Sequence, residues 1–185
     1  MKKYLMALCI LLPNIALAHS GYGEHSFWSG LTHPLTGVDH LLAMVAVGIW
    51  ASRYHGAMRW SIPATFVLVM ISGYIAGYNG MEVPFVETWI AASLMVMGFI
   101  LVWMGKVSAP IAIALTAWFA FFHGAAHGME ATDYSATGFA VGFVLSTLSL
   151  HVLGLGIGSL LQNKVRIYRL TGALVAGAGV YFLMA

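Results

Sequence analysis

The segment His123-Gly-Ala-Ala-His127-Gly-Met-Glu130 combines two imidazoles and a carboxylate within an otherwise apolar stretch. In an α-helix the spacing i, i+4 and i+7 places these side chains within an arc of roughly 60° on one face. Ionisable groups are costly to bury in a membrane helix, so their presence there usually marks a functional site. Imidazole and carboxylate donors together suit a borderline divalent metal ion. The segment therefore predicts a metal-binding helical face.

A second polar cluster, His33-Pro34-Leu-Thr-Gly-Val-Asp39-His40, lies nearer the N-terminus. Pro34 suits the first position of a helix, where its missing N–H would have no intrahelical partner. We expect His33 to be a cap-like residue and His40 to lie about 20° from it around the helix. Asp39 points roughly 100° away from His40. It could be a metal ligand from another direction, or it could orient an imidazole on a neighbouring helix.

The composition identifies the surroundings of both clusters. Of 185 residues, 61% are hydrophobic and only 8% are charged, whereas soluble domains carry about 25% charged residues. The sequence therefore predicts an all-α, polytopic membrane protein. Its formal net charge of +2 gives no sign of a nucleic-acid partner, so the expected partners are the lipid bilayer and a metal ion.

The N-terminal residues predict a cleavable signal peptide over 1–18. Lys2 and Lys3 precede an apolar run at 4–15, and Ala16-Leu17-Ala18 forms a small-x-small cleavage site. An uncleaved signal anchor is the alternative. The single cysteine, Cys9, lies in this segment, so a mature chain of 19–185 would offer no thiolate ligand.

Six further apolar segments follow, each near the roughly 20 residues that span a bilayer. They cover residues 33–51, 61–78, 88–105, 109–130, 136–161 and 168–184. The short connections predict a single six-helix transmembrane domain. Two sets of three spans with opposite orientations are also typical of an inverted repeat.

Charged residues predict the orientation of these spans. All basic residues of the mature chain fall between spans one and two, three and four, or five and six: Arg53, Arg59, Lys106, Lys164, Arg166 and Arg169. The acidic residues Glu24, Glu82, Glu87 and Asp133 fall on the other side. The positive-inside rule then predicts a multi-pass protein of the bacterial cytoplasmic membrane with both mature termini in the periplasm.

This topology predicts that both polar clusters lie at the outer ends of their spans, at one membrane depth. Glu87 begins the third span on the same side, and His19, Glu24 and His25 lie just outside it. Glu87 could instead complement the N-terminal dipole of its helix. Two histidines fall on the inner side. We interpret His55 as a solvated loop residue. His151 could be part of an inward route for the ion, or it could form a hydrogen bond with a neighbouring helix.

The two clusters resemble the signatures of the HupE/UreJ family of nickel and cobalt permeases, HPxxGxDH and FHGxAxGxE. They read here as His33-Pro34-Leu35-Thr36-Gly37-Val38-Asp39-His40 and Phe122-His123-Gly124-Ala125-Ala126-His127-Gly128-Met129-Glu130, which match at every fixed position. The predicted signal peptide and the six spans match as well, so the resemblance covers essentially the whole chain.

The resemblance implies a secondary transporter that brings Ni²⁺, or Co²⁺, towards metalloenzymes, and not an enzyme with a prosthetic group. It implies metal handling by His33, Asp39, His40, His123 and Glu130, with Glu87 at the family's acidic position of the third span. His127 occupies a variable position of its motif, so its assignment as a ligand rests on helical geometry alone.

Two other functions stay open at this point. An intramembrane metal-dependent hydrolase would use a His/Asp cluster to activate a water molecule. An assembly or sensor protein would use the outer histidines for partner contact without transport. A chain this small for a transporter is also compatible with a homo-oligomer.

Overall fold

The computed structural model describes residues 27–105, 107–131 and 136–185. These residues form seven α-helices and no strand: α1 Phe27–Thr36, α2 Val38–Ala51, α3 Ala57–Tyr78, α4 Val86–Trp103, α5 Ala109–Glu130, α6 Ala136–Leu161 and α7 Val165–Met184. The all-α prediction is confirmed. The predicted signal peptide 1–18, His19, Glu24, His25, Lys106 and Asp133 lie outside the described residues, so the boundary at residue 18 stays a prediction.

The helices are those of a multi-pass membrane protein. Each of α3 to α7 is long and apolar enough to cross a bilayer. Helices α1 and α2 pass the same test only as a pair, which is bent by 84°. The described chain therefore has five candidate spans, or six when the bent pair is counted as one. The latter number agrees with the sequence prediction.

The first predicted span differs from the expected straight helix. Helix α1 begins at Phe27, so Pro34 lies inside it and not at its first position, and His33 is a helical residue and not a cap. Because Pro34 has no N–H, it cannot donate to the carbonyl of Gly30, which weakens the last turn of α1. The chain then breaks at Gly37, whose extended backbone (φ −88°, ψ 114°) precedes α2.

Glycines allow the closest helix pairs to touch backbone to backbone. Gly73 and Gly77 on α3 face Gly124 and Gly128 on α5, and a Cβ added at Gly124 would overlap the carbonyl oxygen of Met70. Small residues spaced four apart, as at Gly73 and Gly77, allow this close approach of membrane helices. The two helices run parallel, because residues further along α3 meet residues further along α5.

The α2–α6 pair packs in the same way. Gly48 on α2 faces the backbone of α6 at His151 and Gly154, and Gly158 faces Ile49. Helices α2 and α6 are also parallel, whereas α4 and α7 pack antiparallel through Gly98 and neighbouring residues of α7. The first half of the bundle is α1 to α4, with α1 and α2 counted as one span, and the second half is α5 to α7. If the halves are exchanged, α2 corresponds to α5, α3 to α6 and α4 to α7. The α2–α6 pair then corresponds to the α5–α3 pair, and the α4–α7 pair corresponds to itself. This is the pairing that an inverted repeat produces.

The loops that follow α2, α4 and α6 lie at one end of the bundle and are joined by hydrogen bonds. Arg53 donates from Nη2 to the carbonyl of Met104 (3.1 Å), the Tyr54 hydroxyl donates to Val107 (2.9 Å), and Gln162 donates to Ser52 (2.7 Å). Basic residues of the described chain lie at this end: Arg53, Arg59, Lys164, Arg166 and Arg169. Glu82 and Glu87 lie at the opposite end, as the sequence predicted for them, and the side of the membrane that each end faces stays a prediction.

The α3–α5 contact generates a test of the packing. We expect Gly124→Ala to lower the free energy of unfolding by about 1–3 kcal/mol, because the methyl group forces two backbones apart. Gly156→Ala is the matched control, since a Cβ at Gly156 meets no atom within 4 Å and alanine favours the helix. Reversible unfolding of both variants in mixed micelles measures the difference. Equal stability of the two variants would contradict the packing described here.

Candidate metal site

Four imidazoles from three helices meet at the acidic end of the bundle. The His127 ring on α5 is central: its centroid lies 4.6 Å from that of His33 on α1 and 4.5 Å from that of His40 on α2. The His40 ring lies 5.4 Å from that of His123, one turn further inward on α5. The structure thus brings together the histidines of both sequence motifs.

The bend between α1 and α2 makes this convergence possible. On a straight helix, positions 33 and 40 would be about 10.5 Å apart along the axis, too far to share one small neighbouring ring. The 84° bend at Gly37 turns both side chains towards His127. The prediction that His33 and His40 lie 20° apart on one continuous helix is therefore wrong, although both face the second motif.

Glu130 completes a group of possible ligands at the exposed edge of the cluster. Its Oε2 lies 3.6 Å from Nε2 of His33 and 3.7 Å from Nδ1 of His127, and the three ligand atoms all lie within 4.8 Å of one another. Atoms bound to one ion at about 2.1 Å are separated by at most about 4.2 Å. Small side-chain rotations would therefore let these three residues share a metal ion.

Asp39 orients the imidazole of its sequence neighbour. Its Oδ1 lies 3.0 Å from Nδ1 of His40, so Nδ1 donates its proton to the carboxylate and the lone pair is left on Nε2. A Cβ at residue 37 would lie 3.0 Å from Oδ1 of Asp39 and 3.2 Å from Nδ1 of His40. Glycine at position 37 therefore leaves room for this pair, and the carboxylate acts within α2 and not on another helix.

A backbone carbonyl fixes the tautomer of His123 in the same way. Its Nδ1 lies 2.9 Å from the carbonyl oxygen of Phe119. Because a carbonyl only accepts hydrogen bonds, Nδ1 must be the donor and Nε2 carries the lone pair. Within residues 27–105, 107–131 and 136–185, no hydrogen-bond partner is found for Nε2 of His40, Nε2 of His123 or either nitrogen of His127.

Exposure falls steadily from the edge of the cluster inward. The side chain of Glu130 is 61% exposed and that of His33 is 35% exposed, whereas His127 and His123 are buried. Buried polar atoms normally have hydrogen-bond partners, and those without one call for an explanation. A metal ion bound between His33, His127 and Glu130 would provide the partner that the His127 ring lacks.

Glu87 stands apart from this group. It lies in the first turn of α4 and is exposed, and it is absent from the group of ligand atoms within 4.8 Å. It is close enough to Glu130 to interact with it electrostatically. Its position fits an acidic entrance, and also the interaction with the helix dipole that the sequence left open.

Sequence reasoning missed the aromatic walls of the site. Phe139 packs against the His33 ring (5.4 Å between centroids), Phe143 against His127 (4.3 Å) and Phe66 against His123 (5.4 Å). Phe139 and Phe143 lie four residues apart on α6, so this helical spacing was the signal that could have identified the wall.

The fold and the cluster together define a polytopic helical membrane protein with a candidate divalent-metal site at one end of its bundle. The family described as "HupE / UreJ protein" matches residues 6–182. Protein HupE of Rhizobium leguminosarum bv. viciae is 42% identical over 178 residues, which cover 95% of this chain and 93% of the relative. No solved structure matches the chain. The chain belongs to the HupE/UreJ family, which is associated with nickel and cobalt uptake.

The Asp39–His40 pair generates a second test. We expect Asp39→Asn to weaken Ni²⁺ binding about 10- to 100-fold, because the amide no longer favours the tautomer with its lone pair on Nε2. Glu82→Gln makes the same change of charge at the same end of the bundle and should leave the affinity unchanged. Calorimetric titration of the purified protein with Ni²⁺ measures both. Equal affinities would show that Asp39 does not orient a ligand.

Proposed function

We propose that this protein is a secondary transporter that takes up Ni²⁺, or Co²⁺, across the bacterial cytoplasmic membrane. The observation that carries the proposal is the convergence of His33, His127 and Glu130 at the exposed end of the bundle, next to the partly buried His40 and the buried His123. The second pair of imidazoles gives the ion a further place to bind, inward of the first.

The ion first binds at the edge of the cluster. The exposed Glu130 offers a charged oxygen to a hydrated cation, and His33 and His127 replace part of the water shell. Because these three ligand atoms come from α1 and α5, binding joins the two signature motifs. Glu87 adds negative charge close by and raises the local concentration of cations.

The ion then moves inward by exchange of ligands. His127 is the shared residue, since its ring lies about equally far from His33 and His40. The lone pairs of His40 and His123 already point away from their hydrogen-bonded Nδ1 atoms. These imidazoles can therefore replace His33 and Glu130 as ligands without a change of tautomer. Asp39 offsets the positive charge at this depth.

The donor set supports the choice of cargo. Nitrogen and oxygen donors without sulfur suit Ni²⁺, Co²⁺ and Zn²⁺ better than Cu⁺, and Ca²⁺ and Mg²⁺ prefer sites built wholly from oxygen. The association of the family with nickel and cobalt uptake favours the first two. The basic residues at the opposite end of the bundle support placing the cluster on the periplasmic side.

Uptake into proteoliposomes tests the function. We expect labelled Ni²⁺ at trace concentration to enter vesicles that contain the protein, and His127→Ala or Glu130→Gln to lower the initial rate at least tenfold, because each variant removes a capture ligand. His55→Ala is the matched control: His55 is exposed at the other end of the bundle, and its loss should leave the rate unchanged.

Two outcomes of this experiment would contradict the proposal. The absence of nickel and cobalt flux, together with hydrolysis of a lipid or peptide by the metal-loaded protein, would favour the intramembrane hydrolase. Metal binding without flux or turnover would favour an assembly or sensor protein.

Competition in the same vesicles tests the donor argument. We expect Co²⁺ to slow the uptake of labelled Ni²⁺ at comparable concentration, and Mg²⁺ to have no effect even in a hundredfold excess, because imidazole nitrogens are poor ligands for Mg²⁺. Inhibition by Mg²⁺ equal to that by Co²⁺ would argue against histidine ligation during transport.

A further inference from the structure

His151 is a buried titratable residue outside the site described above. It lies on α6, its side chain is fully buried, and neither ring nitrogen has a hydrogen-bond partner in the part of the chain that the structure describes. The hydrogen bond to a neighbouring helix that would explain a lone membrane histidine is therefore not found there. An imidazole with two unpartnered nitrogens in an apolar interior is costly unless it has a ligand.

One aromatic ring connects His151 to the outer cluster. The Phe66 ring on α3 packs edge-on against both imidazoles, with its centroid 5.4 Å from that of His123 and 5.0 Å from that of His151. Phe66 is itself buried. The two imidazoles therefore contact the same apolar ring.

The same face of α6 lines the outer cluster and carries His151. Phe139, Phe143, Thr147 and His151 follow one another at intervals of four residues, so they form one stripe along the helix. The first two contact the rings of His33 and His127. The stripe therefore runs from the exposed end of the bundle to His151.

A cavity of about 190 Å³ borders His151, between α3 and α6. Its walls are His151 with Trp60, Pro63, Ala64, Leu148, Val152 and Leu155. Trp60 and Pro63 belong to the first turns of α3, at the end of the bundle that carries the basic residues. Apart from the imidazole of His151 these walls are apolar, so the cavity gives access to His151 but adds no second ligand.

We propose that His151 is an inner binding step for the same divalent transition-metal ion. The ion reaches it from His123 past the ring of Phe66, binds to one nitrogen of the imidazole, and leaves towards the basic end of the bundle. This inference rests on the proposed transport function and adds the route through the inner half of the membrane, which the signature motifs do not reach.

The first test separates transport from capture. We expect His151→Gln, which keeps a polar side chain of similar size, to lower Ni²⁺ uptake into proteoliposomes at least tenfold while the affinity of the purified protein for Ni²⁺ changes less than twofold. His55→Gln is the matched control and should alter neither. Uptake by His151→Gln at the wild-type rate would overturn the inner step. A different result would refute the proposed function itself: Glu130→Gln loses Ni²⁺ binding, but the wild-type protein transports no Ni²⁺.

A second variant keeps the proposal testable if His151→Gln fails to fold. In a Cys9→Ser background, we expect His151→Cys to react with a small thiol reagent applied from the basic end of the bundle, and Cd²⁺ to protect it. Leu148→Cys lines the same cavity, so it should react without protection at the same low Cd²⁺ concentration. A His151→Cys thiol that does not react, or that Cd²⁺ protects no better than Leu148→Cys, would overturn the proposal.

Discussion

The bend between α1 and α2 is the constraint on which the candidate site depends. An α-helix separates positions seven apart by two turns, so a straight first span would direct His33 and His40 to different neighbours. The 84° bend directs both to His127. Two features of the first motif make the bend: Pro34 removes a backbone donor near the end of α1, and Gly37 provides an extended residue beside the Asp39–His40 pair.

The cluster also shows how a protein keeps imidazoles ready for a cation inside an apolar bundle. Two of them are fixed at Nδ1, one by a carboxylate and one by a backbone carbonyl, and both lone pairs stay on Nε2. Aromatic rings from α3 and α6 pack around the remaining edges and leave few alternative positions. A bound metal ion would offset the energetic cost of the unpartnered nitrogens, and occupancy of the site would then be coupled to the stability of the bundle.

The glycine contacts explain how so polar a site is held in place. Close approach of α3 to α5 and of α2 to α6 provides extensive van der Waals contact, which drives association of helices in lipid, where the hydrophobic effect does not. Gly124 and Gly128 belong to the second motif and also face α3. The motif therefore has two functional faces on α5: its histidines belong to the imidazole cluster, and its glycines allow α3 to approach closely.

The sequence alone determined the membrane class, the apolar segments, the separation of charges between two ends and the shared depth of the two motifs. These properties follow from composition and from helical periodicity, which relate a residue's position in the chain to its angle and height. Periodicity also predicted that His123, His127 and Glu130 share a face, and family likeness predicted most of the other candidate ligands.

Only the tertiary structure decided how those faces meet. The bend at Gly37, the pairing of Asp39 with its own neighbour His40, the central position of His127 and the separation of Glu87 from the cluster all depend on contacts between helices distant in sequence. The same holds for His151, whose lack of a partner among the described residues distinguishes it from an ordinary packed histidine. A one-dimensional pattern gives the direction of a side chain around its own helix, whereas the neighbour in that direction is set by the packing of the whole bundle.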